Sequence, residues 1–195
     1  MGPVQRMIPA NEYRRLRWKN QLGWTREIHA EPDTDCWRWR ISIAELDGPA
    51  PFSAFPGIAR ELVLLRGERL QLRFDDGEDV VLRPPCGRLR FDGARGLAGH
   101  PQGHCEAFNL MWRPDAVSVQ LWHRPLAGAL VSFVDPGTVW IVHLLTGHAR
   151  MADGGARQAL EAGDTAMLSC GGTRARHAIE GRGEALLVRI DHRAG

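Results

Sequence analysis

Chemistry in this sequence would have to come from a few histidines, cysteines, carboxylates and arginines, and their spacing favours charge recognition over metal or nucleophilic chemistry. A strand that binds a metal needs histidines two positions apart, because alternate side chains share a face. His143 and His148 are five apart and fall on opposite faces of a continuous strand. His100 and His104 are four apart and adjoin Cys105, a spacing that suits a helix, but Gly96 to His104 reads as a Gly/Pro loop. His104 beside Cys105 would lower a thiol pKa if the two side chains met. Neighbours on an extended segment point apart, which leaves Cys105 as a packed residue. No metal site and no cofactor is expected.

The arginines give a stronger signal. Trp37, Trp39, Ile41 and Ile43 alternate with Arg38, Arg40, Ser42 and Ala44, and a period of two marks a strand. If the large apolar side chains fill one layer, Arg40 and Ser42 project together from the other. A guanidinium fork matches a carboxylate and serine adds a hydroxyl, so this pair suits an anionic ligand. The competing reading is a structural ion pair of Arg40 with Glu27 or Glu61. Downstream, Pro51-Phe52-Ser53-Ala54-Phe55-Pro56-Gly57 cannot be an ordinary strand, since two prolines remove donors while two phenylalanines need burial. It reads as an ordered loop capping a barrel mouth. Such a loop sets Ser53 and Phe55 over a pocket, with Arg60 at the next strand's entry and Asn109 and Met111 across the opening. Alternatively, Arg60 and Asn109 only tie the loop's backbone down.

The elements that must position these residues are strands. The 22 glycines and 12 prolines punctuate short apolar runs, among them Leu62–Leu65, Leu70–Phe74, Val80–Leu82, Leu89–Phe91, Val117–Trp122, Val139–Leu145, Ala166–Ser169 and Ala185–Ile190. Asn11–Arg17 and Gln158–Glu161 allow a helical turn or two at most. Leu64-Leu65-Arg66-Gly67 recurs as Leu144-Leu145-Thr146-Gly147, and an Asp-Gly turn follows each copy, at Asp76-Gly77 and Asp153-Gly154, so the chain reads as a duplication. The stretch Gly163-Asp164 to Leu168 adds a turn in which glycine permits a positive φ and aspartate bonds the turn backbone.

Composition is that of a globular protein: 195 residues, 44% hydrophobic and 25% charged, with a formal net charge of +2. Of the 25 basic residues 24 are Arg, scattered rather than clustered, which argues against nucleic acid as a partner. No window has about 18 uninterrupted apolar residues, so no membrane span is expected. Four separate cysteines and no signal-peptide pattern over Met1–Tyr13 point to a reduced, cytoplasmic setting.

Four blocks carry a resemblance: Trp18-Lys19-Asn20-Gln21-Leu22-Gly23-Trp24-Thr25-Arg26-Glu27-Ile28, Trp39-Arg40-Ile41-Ser42-Ile43-Ala44, Gly48 through Arg60, and Cys105 with Asn109-Leu110-Met111. In order and spacing these resemble the HutD/Ves family of small bacterial bicupins. Gln21 and Leu22 stand where that family has glycines, Ala50 is inserted, and Ala59 and Ala107 replace usual aspartates. The resemblance implies an all-β double cupin, two fused jelly-roll halves spanning 1–115 and 116–195 as one compact unit. It also implies a link to histidine utilisation or stress response, and a small-molecule sensing role without an assigned catalytic activity. A histidine-degradation carboxylate such as formylglutamate or urocanate is the implied ligand. Its site would draw on Trp18, Asn20, Thr25, Glu27, Arg40, Ser42, Ser53, Phe55, Arg60, Asn109 and Met111. The enzyme alternative, a cupin isomerase or hydrolase acting on a small carboxylate through Glu27, His143 or a metal, lacks its histidine motif here. A homodimer or interaction module built on sheet edges stays open.

Overall fold

The computed structural model describes residues 3–18, 20–153 and 156–193; Lys19 and the Gly154-Gly155 part of the second Asp-Gly turn lie outside them. The chain is all-β, with sixteen strands and one 3₁₀ turn at Ala10–Glu12 among the described residues. In chain order the strands are β1 (Pro3–Ile8), β2 (Arg14–Arg17), β3 (Trp24–Glu31), β4 (Trp39–Leu46), β5 (Ala50–Phe52), β6 (Ala59–Arg66), β7 (Arg69–Phe74), β8 (Asp79–Leu82), β9 (Arg88–Asp92) and β10 (Leu97–Gln102). They continue with β11 (Cys105–Trp112), β12 (Val117–Val134), β13 (Thr138–Asp153), β14 (Ala156–Glu161), β15 (Thr165–Cys170) and β16 (Ala175–His192). Among the described residues no helix is long and apolar enough to cross a membrane.

The chain divides into two compact units, Arg14–Ala116 and Met1–Tyr13 with Val117–Gly195. The opening segment, grouped by sequence order with the first half, therefore sits in the second. Local chemistry explains this. β1 pairs antiparallel with β15, the Ala10 N–H donates to Asp164 Oδ1 at 2.8 Å, and the Tyr13 hydroxyl donates to Gly163 O at 2.7 Å. The Gly163-Asp164 turn forms as its sequence suggests, with Gly163 at φ +97° and Asp164 Oδ2 accepting from the Glu161 N–H.

In the Arg14–Ala116 unit a six-stranded sheet, β2-β3-β4-β11-β6-β9, packs against a four-stranded one, β5-β10-β7-β8. Their core joins Leu46, Leu62, Leu64, Phe91, Cys105 and Ala107 from the first sheet with Ala50, Leu70, Leu72, Phe74, Leu82 and Leu97 from the second. Period-two alternation aims one face of each strand at the other sheet. Two expectations change here. Pro51 belongs to a short strand, β5, which is tolerable because β5 is a sheet edge where a missing N–H strands no partner. The Gly/Pro stretch before His104 forms β10, with Pro101 beyond the span of its β5 pairing.

In the other unit β1-β15-β13-β16-β12 form one sheet, with β14 on β13. The segment 158–161 is strand, not a helical turn, and residues 14–17 form β2. The second copy of the Leu-Leu-x-Gly echo lies within a strand: β13 runs through it with a bulge between Leu144 and Thr146. Gly147 faces Gly183 there, with φ of +81° and +138°. A Cβ on Gly183 would lie 1.9 Å from Thr146 O, so only glycine lets these long strands pass. The core beneath is apolar, including Val142, Leu144, Met151, Leu160, Leu168, Ile179 and Leu187.

Candidate ligand site

Register in the six-stranded sheet builds the site. Met111 on β11 pairs with Arg40 on β4 and with Arg60 on β6, so the two arginines share one row of one face. In the next row Asn109 pairs with Ser42 and Leu62, and in the row after it Ala44 pairs with Thr25, which pairs with Leu16. A bulge between Glu27 and His29 returns Ala30 opposite Arg40 and places Glu27 opposite Ser42. Strand parity thus sets Arg40 and Ser42 on the face opposite Trp39, Ile41 and Ile43. Trp37 precedes the strand rather than joining it.

Above this face lies a cavity of about 530 Å³, within the usual range for small-molecule sites. Trp18, Asn20, Thr25, Arg40, Ser53, Phe55, Arg60, Asn109 and Met111 line it, which brings together nine of the eleven expected residues. Glu27 and Ser42 are buried but do not line it. Leu16, Arg17, Ala44, Phe52 and Ala54 complete the wall. Of these five only Phe52 carried a sequence signal, as one of the two phenylalanines needing burial; strand pairing and the turn of the 53–58 loop deliver the others.

Arg60 dominates the electrostatics. It is 2% exposed, and its guanidinium donates to Ser53 O at 3.2 Å and to Asn109 Oδ1 at 3.3 Å. The rings of Phe91, Phe52 and Phe55 surround it at 5.3, 5.4 and 5.7 Å. No carboxylate pairs with it among the described residues, and its buried Nε meets no acceptor there. Burial first, and the nearby charge of Arg40 second, push its pKa down to about 10. Arg60 therefore stays cationic at neutral pH, in a place where an unpaired charge is unfavourable.

Arg40 differs. Its Nε donates to Glu27 Oε2, while Arg14 Nη2 donates to Glu27 Oε1 and also to Asp33 at 3.1 Å. This is the ion pair that competed with ligand binding in the sequence reading, although Arg40 still reaches the cavity. Burial raises the Glu27 pKa, but the hydrogen bonds and charges of Arg14 and Arg40 outweigh it and hold the carboxyl below its ordinary range. Ser42 Oγ is buried without a partner among the described residues.

The mouth is framed by Trp18 and the turn over residues 20–23. Trp18 Nε1 donates to Thr25 Oγ1 at 2.9 Å, and its ring packs on Phe52 at 5.1 Å. Asn20 Nδ2 donates to Pro51 O at 3.2 Å, while its Oδ1 accepts from the Leu22 N–H. Gln21 adopts φ +61°, a left-handed conformation that glycine takes more readily. Ser53 turns its carbonyl, not its hydroxyl, on Arg60.

The other candidates stand apart. Cys105 is fully buried with Sγ 3.3 Å from Arg69 O, and burial pushes its thiol up, opposite to what a nucleophile needs. His104 lies 2.7 Å from Asp47 Oδ1, and that hydrogen bond raises its pKa. His143 is buried with Nδ1 3.0 Å from Thr165 Oγ1, whereas His148 is exposed. Among the described residues no three His, Cys, Asp or Glu side chains converge as a metal would require.

A family model described as HutD matches residues 10–187. An uncharacterized 21.2 kDa protein in the hutC 3' region of Pseudomonas putida is 31% identical over 124 residues, 59% of this chain and 62% of that protein. Protein Ves of Citrobacter koseri is 45% identical over 56 residues, 28% of this chain and 29% of Ves. The matched stretches thus span less than two thirds of these curated relatives. HutD from Pseudomonas fluorescens SBW25, solved in a formate condition, superposes with a TM-score of 0.82 at 24% identity, covering 98% of this chain and 100% of that one. A cupin 2 conserved barrel domain protein from Leptotrichia buccalis superposes at 0.57 and 12% identity, over 87% and 88% of the two chains. These structural likenesses show the fold, a cupin-like jelly roll.

Proposed function

The chain belongs to the HutD family, and on that footing we propose that its Arg14–Ala116 half is a receptor for a small carboxylate, held by Arg60 and serving a sensing or regulatory role. The observation that carries this reading is the buried Arg60 guanidinium, without a carboxylate partner among the described residues, at the wall of a cavity of about 530 Å³. A carboxylate there would gain charge-assisted hydrogen bonds and relieve the unpaired charge. Trp18, Phe52, Phe55 and Met111 would pack the apolar part of the ligand. Binding requires no metal in this account.

The Pseudomonas putida relative is described by its place in the hutC 3' region, which makes carboxylates of histidine breakdown, urocanate and formylglutamate among them, the first ligands to test. A thermal-shift screen reads binding directly, because a ligand that prefers the folded state raises the melting temperature by mass action. At least one of these acids is expected to raise it in a concentration-dependent way, and Arg60→Ala to abolish the rise. No response to any of them, or a response that persists in Arg60→Ala, overturns the proposal.

A further inference from the structure

An edge strand exposes a row of unpaired N–H and C=O groups, and folded chains blunt such rows with charge, proline or shortness. Other edges here follow that rule: β2 reads Arg-Arg-Leu-Arg, β9 carries Arg88, Arg90 and Asp92, and β5 is three residues long with Pro51. Strand β12 departs from it. It ends its sheet, and along its 18 residues it pairs only with β16 among the described strands. From Leu126 through Val134 it carries no charge. Leu126, Leu130 and Val134 pack into the core. On the other face Ala127, Ala129, Val131 and Phe133 are exposed, Phe133 by 53% even though Arg174 stacks on its ring at 5.1 Å. Gly128, at φ +91°, leaves the pairing with β16 in register. Arg124 precedes the uncharged run and Asp135 follows it.

We propose that β12 is a dimer interface: the Leu126–Val134 edge pairs antiparallel with the same edge of a second copy, about a twofold axis at Leu130. An antiparallel edge is self-complementary under such an axis. Centred on Leu130, the pairing sets Phe133 opposite the partner's Ala127 and Val131 opposite the partner's Ala129, a large side chain against a small one each time. It also brings the Arg124 end of one copy to the Asp135 end of the other, so the flanking charges attract. Neighbouring registers fit worse. An axis at Ala129 draws Pro125, which has no N–H, into the ladder opposite Phe133, and an axis at Val131 sets the Asp135 charge opposite Ala127.

Light scattering across a dilution series reads the mass in solution. Wild type should approach twice the mass of one chain as concentration rises. Val131→Lys and Ala129→Glu each place a charge on the apolar edge of both copies, and each should weaken the dimer about tenfold or more. Positions 129 and 131 face each other across the axis, so mixing the two variants should restore the doubled mass through a lysine–glutamate pair between copies. Both positions are exposed, and each variant should keep the wild-type circular dichroism spectrum. A wild type that stays a single chain at every concentration overturns the proposal, and leaves the edge to a peptide from another protein. A dimer indifferent to both substitutions overturns it too, as does a dimer that both break and mixing does not restore.

Discussion

Replacing Arg60 with methionine separates a binding arginine from a structural one, because the two roles predict opposite effects on stability. Burial and the nearby charge of Arg40 push the Arg60 pKa from the usual guanidinium range down to about 10 in the fold. At about 1.36 kcal/mol per pH unit, keeping this side chain charged in the folded state costs on the order of 3 kcal/mol. The sign follows from proton linkage. The unfolded state holds this proton more tightly, so the drag is complete at neutral pH and is relieved only as pH rises past about 10. Methionine removes the charge and keeps much of the packing against Phe52, Phe55 and Phe91. It also removes the bonds to Ser53 O and Asn109 Oδ1, which at 3.2 and 3.3 Å are long and worth about 1 kcal/mol each. Arg60→Met should therefore unfold in urea within about 1 kcal/mol of wild type, on the stable side, whereas truncating a well-paired buried side chain typically loses about 2–5 kcal/mol. A loss above about 2 kcal/mol would refute the reasoning and make Arg60 a strut for the 53–58 loop.

Three further outcomes check other links of the account. Gly183→Ala meets a positive φ and a carbonyl 1.9 Å from the new Cβ, so it should lose several kcal/mol in urea unfolding, on the order of 3 or more, or fail to fold. Thiol titration of the native protein should label exposed Cys36 quickly and Cys105 only on unfolding, since Cys105 is buried with its pKa raised. The folded Glu27 carboxyl titrates below its ordinary 4.5, so its contribution to stability is full above that pH and fades as pH falls through the lower folded value. Glu27→Gln should flatten this acid limb of the stability curve.

What was legible in the sequence was what periodicity and local chemistry encode. Alternation along residues 39–46 placed Arg40 and Ser42 on one face, and the two prolines around Phe52 and Phe55 marked the irregular loop that meets Arg60. Pairing across the sheet was not legible. That Met111 stands between Arg40 and Arg60, or that Leu16, Thr25 and Ala44 share a row, depends on register set by bulges such as the one after Glu27. Nor does Pro-Val-Gln-Arg-Met-Ile advertise that β1 will pair with β15 more than 150 residues away. Strand β10 was hidden because His100-Pro101 between Gly99 and Gly103 has the composition of a loop. Neighbouring strands supply the order that propensity lacks. The Leu-Leu-x-Gly echo was real in sequence but not in form, since Gly67 lies in the connection that carries the chain from β6 in one sheet to β7 in the other, while Gly147 relieves a close approach within a continuous strand.

Calorimetric titration of wild type and Arg60→Met with urocanate and formylglutamate tests the central claim most directly. The account predicts one-to-one binding to wild type and at least a hundredfold loss of affinity in Arg60→Met, with the fold intact. Equal affinity for the two proteins, or no binding to wild type, would contradict it.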